Sequence, residues 1–300
     1  MAPLQGSAPS THSKSAPSPP HSLLESEVTL LRKRVSQLNE LHPVVRHYWN
    51  HQFRLGWEVL VPFLSKERAF RPGMAVAEIG CAEGGVLMAF AVAGALNPVG
   101  TDIDPVRLQE GEKIATHLGL PVVFTHHDIL QDFLPENWVS AFDLVVLRDV
   151  IEHLENTAEA LRRIHQLLKP GGHVFFSFPP YPSPYGGHQH ALLNFWGKLP
   201  YIHLLPEHLF EKMAASGWEA GRAEIFRLRK IRLSLPHIPS IAKQTGFEIV
   251  REKHYLLRPV FRYRLGLPIP SVSLPDIAKR FPSIAQFFCT EAGFLLRKNR

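Results

Sequence analysis

The chain has 300 residues, 45% of them hydrophobic and 20% charged, which excludes a low-complexity or collagen-like polymer and leaves room for one large domain or two small ones. Two cysteines, Cys81 and Cys289, cannot build a disulfide framework and suit a reducing, cytoplasmic setting. The formal charge of +6 is a surplus small enough to read as a solubility feature, not as the footprint of a nucleic-acid partner.

Residues 1–22 are rich in Ser and Pro, lack the apolar core of a signal peptide and read as a disordered tail. Residues 23–65 form an amphipathic helical segment. Within it Leu24, Val28, Leu31, Val35 and Leu38 recur at alternating steps of four and three. So short a seam reads as a helix packed on its own domain; the alternative is a homodimer through residues 24–38. The longest apolar run, at 86–96, is too short to span a bilayer and reads as a buried helix, so no transmembrane segment is expected.

From residue 74 apolar strands and amphipathic helices alternate. MAVAEIG, NPVGTDID, LPVVFTHHD, FDLVVLRD and HVFFSF read as five strands. Asp104 with Pro105 caps the helix after the second, and Asn156 with Glu159 has capping-box spacing before the helix ahead of the fifth. This alternation predicts a doubly wound, mostly parallel α/β sheet, whose ligand lies at the carboxyl ends of the strands. The turn in VAEIGCAEGG stands at such an end. Gly80, Ala82 and Gly85 make a degenerate glycine pattern, and Asp102, at the end of the second strand, is placed to accept ribose hydroxyls. Both features suit any nucleoside cofactor. Glu78 discriminates: a carboxylate beside the turn repels a pyrophosphate but suits a cationic ligand such as a sulfonium or an α-amino group.

VAEIGCAEGG, VGTDIDPVRL, HHDIL, FDLVVLRDVIEHL and LLKPGGHVFFSF, in this order, resemble the motifs of the class I S-adenosylmethionine-dependent methyltransferases. The DVIEHL form is most similar to the subgroup holding ubiquinone-pathway O-methyltransferases and many small-molecule and sugar methyltransferases. The resemblance implies a Rossmann-like fold and S-adenosyl-L-methionine as cofactor. It also implies roles. Glu78 would serve the methionine amino end, while Gly80, Ala82 and Gly84 would bring backbone close to the methionyl and ribose parts. Asp102 would take the ribose hydroxyls, with Ile103 packing on the adenine. Asp128 would accept from the adenine amino group beside Ile129, and Arg148 would present its backbone to the methionine moiety.

A sulfonium methyl is already electrophilic, so an oxygen acceptor asks chiefly for alignment and a base. His153 and His188 are the candidate catalytic residues, as both follow strands at the ligand edge of the sheet. Asp149, Glu152, His153 and a later histidine also resemble the metal cluster of small-RNA 2′-O-methyltransferases and some ubiquinone-pathway enzymes. Asp149 stands where those families have Glu, and no metal is assigned.

Residues 179–240 depart from the strand–helix alternation and read as a cap insertion within a methyltransferase domain of residues 66–300. Tyr181, Tyr185, Phe195, Trp196 and Tyr201 are available there to line a pocket or to make the cap's own core. TGFEIVREKHYLL and EAGFLLRKN read as strands six and seven, the last antiparallel by the resemblance. The basic run at 227–232 reads as a solvated face or a patch for an anionic acceptor. The expectation is an O-methyltransferase acting on a small molecule, glycan or lipid-linked precursor. An RNA methyltransferase and a non-catalytic scaffold are its alternatives.

Overall fold

The computed structural model describes residues 21–299, with side chains from residue 26 onward. The tail reading falls on residues 1–20, outside the described residues; His21 and Ser22 already belong to the first helix, His21–Ser36.

Eight strands form one sheet: β1 Ala75–Ile79, β2 Leu96–Asp102, β3 Val123–His126, β4 Phe142–Arg148, β5 Leu168–Phe178, β6 Phe247–Leu257, β7 Val272–Ser273 and β8 Glu291–Lys298. Their order is β3-β2-β1-β4-β5-β8-β6-β7. β1 to β5 pair in parallel, and β8 lies antiparallel between β5 and β6. The expected seven strands are therefore eight. The addition is β7, two residues inside the connection after β6 that pair with Tyr255 and Leu257 and have no alternation long enough to announce a strand.

The central strands are apolar because both faces are covered. In β4 the run Leu144 to Leu147 is buried without a break. The helix Gly85–Val92 is buried from Gly85 through Phe90, as its uniform hydrophobicity requires. Asp104 Oδ1 caps the helix Pro105–Leu118, accepting from Val106 N at 2.9 Å and Arg107 N at 3.3 Å. Asn156 Oδ1 caps Thr157–Leu167, accepting from Glu159 N at 2.9 Å. β5 starts at Leu168, directly behind this helix, and so takes in the Gly171-Gly172 pair.

The amphipathic seam has a partner within its own chain. Val28, Val35 and Leu38 are buried with Trp49, Phe53, Met88 and Ile114, and Leu31 packs against the same cluster. Trp49 is fully buried, with its indole N–H directed at Met88 Sδ at 3.3 Å. Truncating it would cost about 3–5 kcal/mol, the range for a core aromatic.

Between β5 and β6 the chain builds a separate layer of short helices, the longest being Glu207–Ala214 and Glu219–Ile231. Leu192, Ile202, Phe210, Ala214 and Ile225 form its own small core, with Trp196 packed against them. The basic run on Glu219–Ile231 braces this layer. Arg229 donates to the carbonyls of His203 and Leu205, and Arg232 to that of Arg229.

Candidate active site

β1 sits where the strand order reverses, between β2 and β4, and the turn after it opens a cavity at the carboxyl end of the sheet. Gly80 has φ +68°, and a Cβ there would stand 2.4 Å from Val150 Cγ2. Gly84 has φ +71°, and its Cβ would strike the Phe124 ring at 2.6 Å. Only glycine meets both demands. Ala82 is held at φ +52°, a strained setting for an L residue, where its N–H donates to Asp102 Oδ2 at 2.8 Å. Asp102 Oδ1 accepts from Asp104 N at 2.9 Å, so this carboxylate stitches the turn to the end of β2.

The cavity, of about 290 Å³, is lined by Gly80, Asp102, Ile103, Asp128, Ile129 and His153, among others. Five of the nine expected cofactor residues thus share one wall. Ile103 is 64% exposed at the rim, and Ile129 is buried in the core beneath. Asp128 is also a turn residue, its Oδ1 accepting from Leu130 N at 2.8 Å. Glu78, Ala82, Gly84 and Arg148 are not among its lining residues. Arg148 has a buried side chain that ion-pairs with Asp149 Oδ2 at 2.8 Å.

Glu78 is buried in β1, and its Oε2 has no hydrogen-bond partner. Burial pushes its carboxyl up to about 8, against the opposing pull of the Leu87 N–H and Arg148. An orphaned acidic oxygen under a glycine turn fits a ligand carrying an ammonium group. That chemistry, with the space a Cβ would otherwise fill, suits S-adenosylmethionine and not a dinucleotide pyrophosphate.

After β4 the chain turns sharply at Asp149, φ +53°. Arg258, just past β6, donates from Nη2 to Asp149 Oδ1 and Oδ2 at 2.7 and 2.6 Å, and from Nε to Glu291 Oε2 at 2.7 Å. Burial alone would raise the Asp149 carboxyl; Arg148 and Arg258 override it and hold the group well below the usual carboxylate range. A carboxylate shared by two guanidinium groups is not free to ligate a metal.

Glu152, His153 and His188 do come together. His153 Nε2 and His188 Nε2 lie 3.8 and 3.9 Å from Glu152 Oε1, and the two imidazoles meet edge to face with centroids 4.9 Å apart. Both Glu152 oxygens are buried without a hydrogen bond, and burial raises its carboxyl to about 8. Each of the three side chains offers a ligand atom within 4.8 Å of the others. An oxygen and two imidazole nitrogens suit a divalent cation.

The helix Glu219–Ile231 completes the group. Glu224 Oε1 contacts His153 Nδ1, while Arg227 grips Glu224 through Nη2 at 2.8 Å and donates from Nη1 to the His153 carbonyl at 3.1 Å. Burial depresses the His153 imidazole, but the bond to Glu224 and the charge of Glu152 raise it on balance. His188 has no such partner: burial and the neighbouring His153 and His190 pull it down to about 3, so it is neutral. Glu224, Arg227 and Arg258 have no motif around them. Arg227 opens the basic run, but nothing in the sequence aims it at the site.

His188 also lines a second cavity of about 290 Å³, on the far side of the histidine pair, with Tyr185, His190, Arg258, Phe261 and Arg264. Tyr185 is the one cap aromatic, among those singled out in the sequence, that lines it. Tyr181 is buried with its hydroxyl on the His203 carbonyl, Phe195 is 66% exposed, and Tyr201 bonds the Phe287 carbonyl.

Sheet order, strand-end cavity and glycine turn together define a Rossmann-like methyltransferase fold. The methyltransferase-domain family model matches residues 48–252, and the chain belongs to that family. The resemblance drawn from the five motifs is borne out. Among its relatives, the ubiquinone biosynthesis O-methyltransferase of Photorhabdus laumondii is 30% identical over 105 residues, 35% of this chain and 42% of that protein. Its namesake from Pseudomonas aeruginosa is 30% identical over 144 residues, 48% of this chain and 55% of that protein. The chain spans about half the length of the curated relatives it matches. Among solved structures, phosphoethanolamine N-methyltransferase 2 of Haemonchus contortus, in complex with S-adenosyl-L-methionine, superposes with a TM-score of 0.52 at 16% identity, over 90% of this chain and 60% of that one. An S-adenosylmethionine-dependent methyltransferase from Mesorhizobium loti gives 0.50 at 17%, over 79% and 96%. At such identities the likeness is one of fold. Among the described residues no helix is long and apolar enough to cross a membrane.

Proposed function

We propose that the protein transfers the methyl group of S-adenosyl-L-methionine to an oxygen of a small molecule. The observation that carries the reading is the position of the histidines: His153 lines the cavity beside the glycine turn, and its ring touches His188, which lines the next one. Bound S-adenosylmethionine would supply an electrophilic sulfonium methyl. Glu78 would meet its ammonium group, Asp102 the ribose hydroxyls, Ile103 and Ile129 the adenine faces and Asp128 the adenine amino group. Gly80, Ala82, Gly84 and the Arg148 backbone would shape the turn around it. The acceptor hydroxyl would lie against the histidine pair, within reach of both Nε2 atoms. His153, whose Nδ1 is fixed on Glu224, would take the proton at Nε2, and neutral His188 would orient the hydroxyl. The names of the ubiquinone relatives support oxygen as the acceptor atom.

Calorimetric titration of S-adenosylhomocysteine tests the cofactor half of this reading. Micromolar binding is expected, weakened at least about tenfold in Asp102→Ala, with no heat from NAD. A folded protein that binds NAD or neither ligand would overturn it.

The orphaned oxygens of Glu152 support a second reading, in which Glu152, His153 and His188 hold a divalent metal that helps to ionise the hydroxyl. Methyl transfer that survives excess chelator excludes it. A cytoplasmic setting is supported by two buried free thiols, Cys81 and Cys289. A homodimer through residues 24–38 has less support than the packing of that seam on its own domain.

A further inference from the structure

The second cavity has a lopsided chemistry. Of the nine residues that line it, two are arginines and none is acidic. Arg258 is pinned by Asp149 and Glu291 through Nε and Nη2, and its Nη1 makes no hydrogen bond to protein among the described residues. Its two carboxylates therefore fix the guanidinium fork without covering the third nitrogen. Arg264 is exposed in the lining, and its side chain has no hydrogen bond or ion pair among the described residues. A fork held in advance loses little side-chain entropy on meeting a flat anion, and the unpaired charge of Arg264 disfavours a cationic guest.

Part of the remaining wall is flat and apolar. Phe261 and Pro179 lie in the lining, and Tyr185 is fixed there by its hydroxyl, which donates to the Lys198 carbonyl at 2.8 Å. A volume of about 290 Å³ accommodates one substituted ring and falls at the small end of ligand pockets generally.

We propose that this cavity selects, as methyl acceptor, a small ring-bearing molecule with an anionic group, a carboxylate or a phosphate, bound by Arg264 and Arg258 Nη1 with its ring against Tyr185 and Phe261. The inference rests on the reading of His153 and His188 as the pair that faces the acceptor.

NMR titrations of benzoate, phenyl phosphate and benzyl alcohol into the S-adenosylhomocysteine-saturated protein test it. At least one anion should bind about tenfold or more tighter than the neutral alcohol. The stronger of the two identifies the anion. Arg264→Gln should shrink that preference to less than about threefold, and Arg264→Lys should keep part of it, because the charge stays and the fork is lost. Arg264 is exposed, so neither change threatens the fold. Equal affinity for all three probes, no binding of either anion, or an unchanged preference in Arg264→Gln would overturn the proposal. If S-adenosylhomocysteine binds normally in those same samples, only this inference falls. If it does not bind, the proposed function falls first.

Discussion

The carboxyl ends of β1 and β4 are neighbours in the sheet, and each encloses a carboxylate, but the two groups live under opposite conditions. Glu78 is buried beneath the glycine turn with one oxygen unpartnered, and burial raises its carboxyl to about 8. Asp149 is caught between Arg148 and Arg258 and stays ionised. Arg148 lies close enough to lower both, but only Asp149 receives direct hydrogen bonds from a guanidinium. Enclosure alone thus decides little about a carboxyl group. A guanidinium in contact holds it charged, whereas a single backbone N–H, as Leu87 offers Glu78, does not outweigh burial. The braced carboxylate ties β4 to β6 and β8, and the unbraced one keeps an oxygen without a partner.

Breaking the braced end should have the largest effect. Arg258→Leu leaves Asp149 and Glu291 without their shared cation and should cost about 3–5 kcal/mol in urea unfolding. A loss below about 1 kcal/mol would mean that Arg148 alone suffices.

Glu78→Gln should act in the other direction. In the fold this carboxyl titrates near 8, above the range it has in the unfolded chain, so the folded state keeps a proton that the unfolded state has released. Wild-type stability therefore falls as pH rises through that window. The variant should be about 2–4 kcal/mol more stable than wild type at pH 8 and no more stable by pH 4–5. It should also bind S-adenosylmethionine more weakly. At pH 7, calorimetry in two buffers of different ionisation heat should show about one proton released on binding by wild type and none by the variant, because a ligand ammonium favours the ionised carboxylate.

Glu224→Gln removes the partner that holds His153 up. Its imidazole titration, followed by NMR, should move down, at a stability cost of about 1–2 kcal/mol. The group's folded value is raised, so its contribution is complete below the unfolded histidine's pKa and fades as pH rises through the folded one. An unmoved titration would show that Glu152 alone sets it. The smallest effect on stability belongs to Asp128→Asn. Its Oδ1 bond to Leu130 N survives in an amide, so stability should change by less than about 0.5 kcal/mol. S-adenosylhomocysteine affinity should fall about three- to tenfold, because the amide NH2 replaces the oxygen that would accept from the adenine amino group. Unchanged affinity would remove Asp128 from the adenine site.

Much of the sheet, and the first cavity, were legible in the sequence because backbone makes them. Glycines at 80 and 84, a capping Asp104 and a strand-end Asp102 announce their geometry locally. The surroundings of the histidine pair and the second cavity are made by side chains that meet only after folding. Arg258 lies 109 residues from Asp149, and Glu224 lies 71 from His153, and no spacing rule connects either pair. β7 escaped notice for the same reason: its two residues become a strand only because β6 runs past them. The seam at 24–38 carries the pattern of a coiled coil, but a pattern does not say whose surface it covers.

β8 lies between β5 and β6, pairing with β6 from Glu291 to Lys298 and with β5 from Ala292 to Arg297. On a ribosome, β6 would therefore leave the tunnel well before the strand that attaches it to the sheet. Until then the edge of β5, with Phe175 to Phe178, has no neighbour, and Arg258 lacks Glu291. Such an edge invites pairing with other chains. A nascent chain stalled before residue 291 would thus expose the open edge of β5 while the strands around the glycine turn are already made.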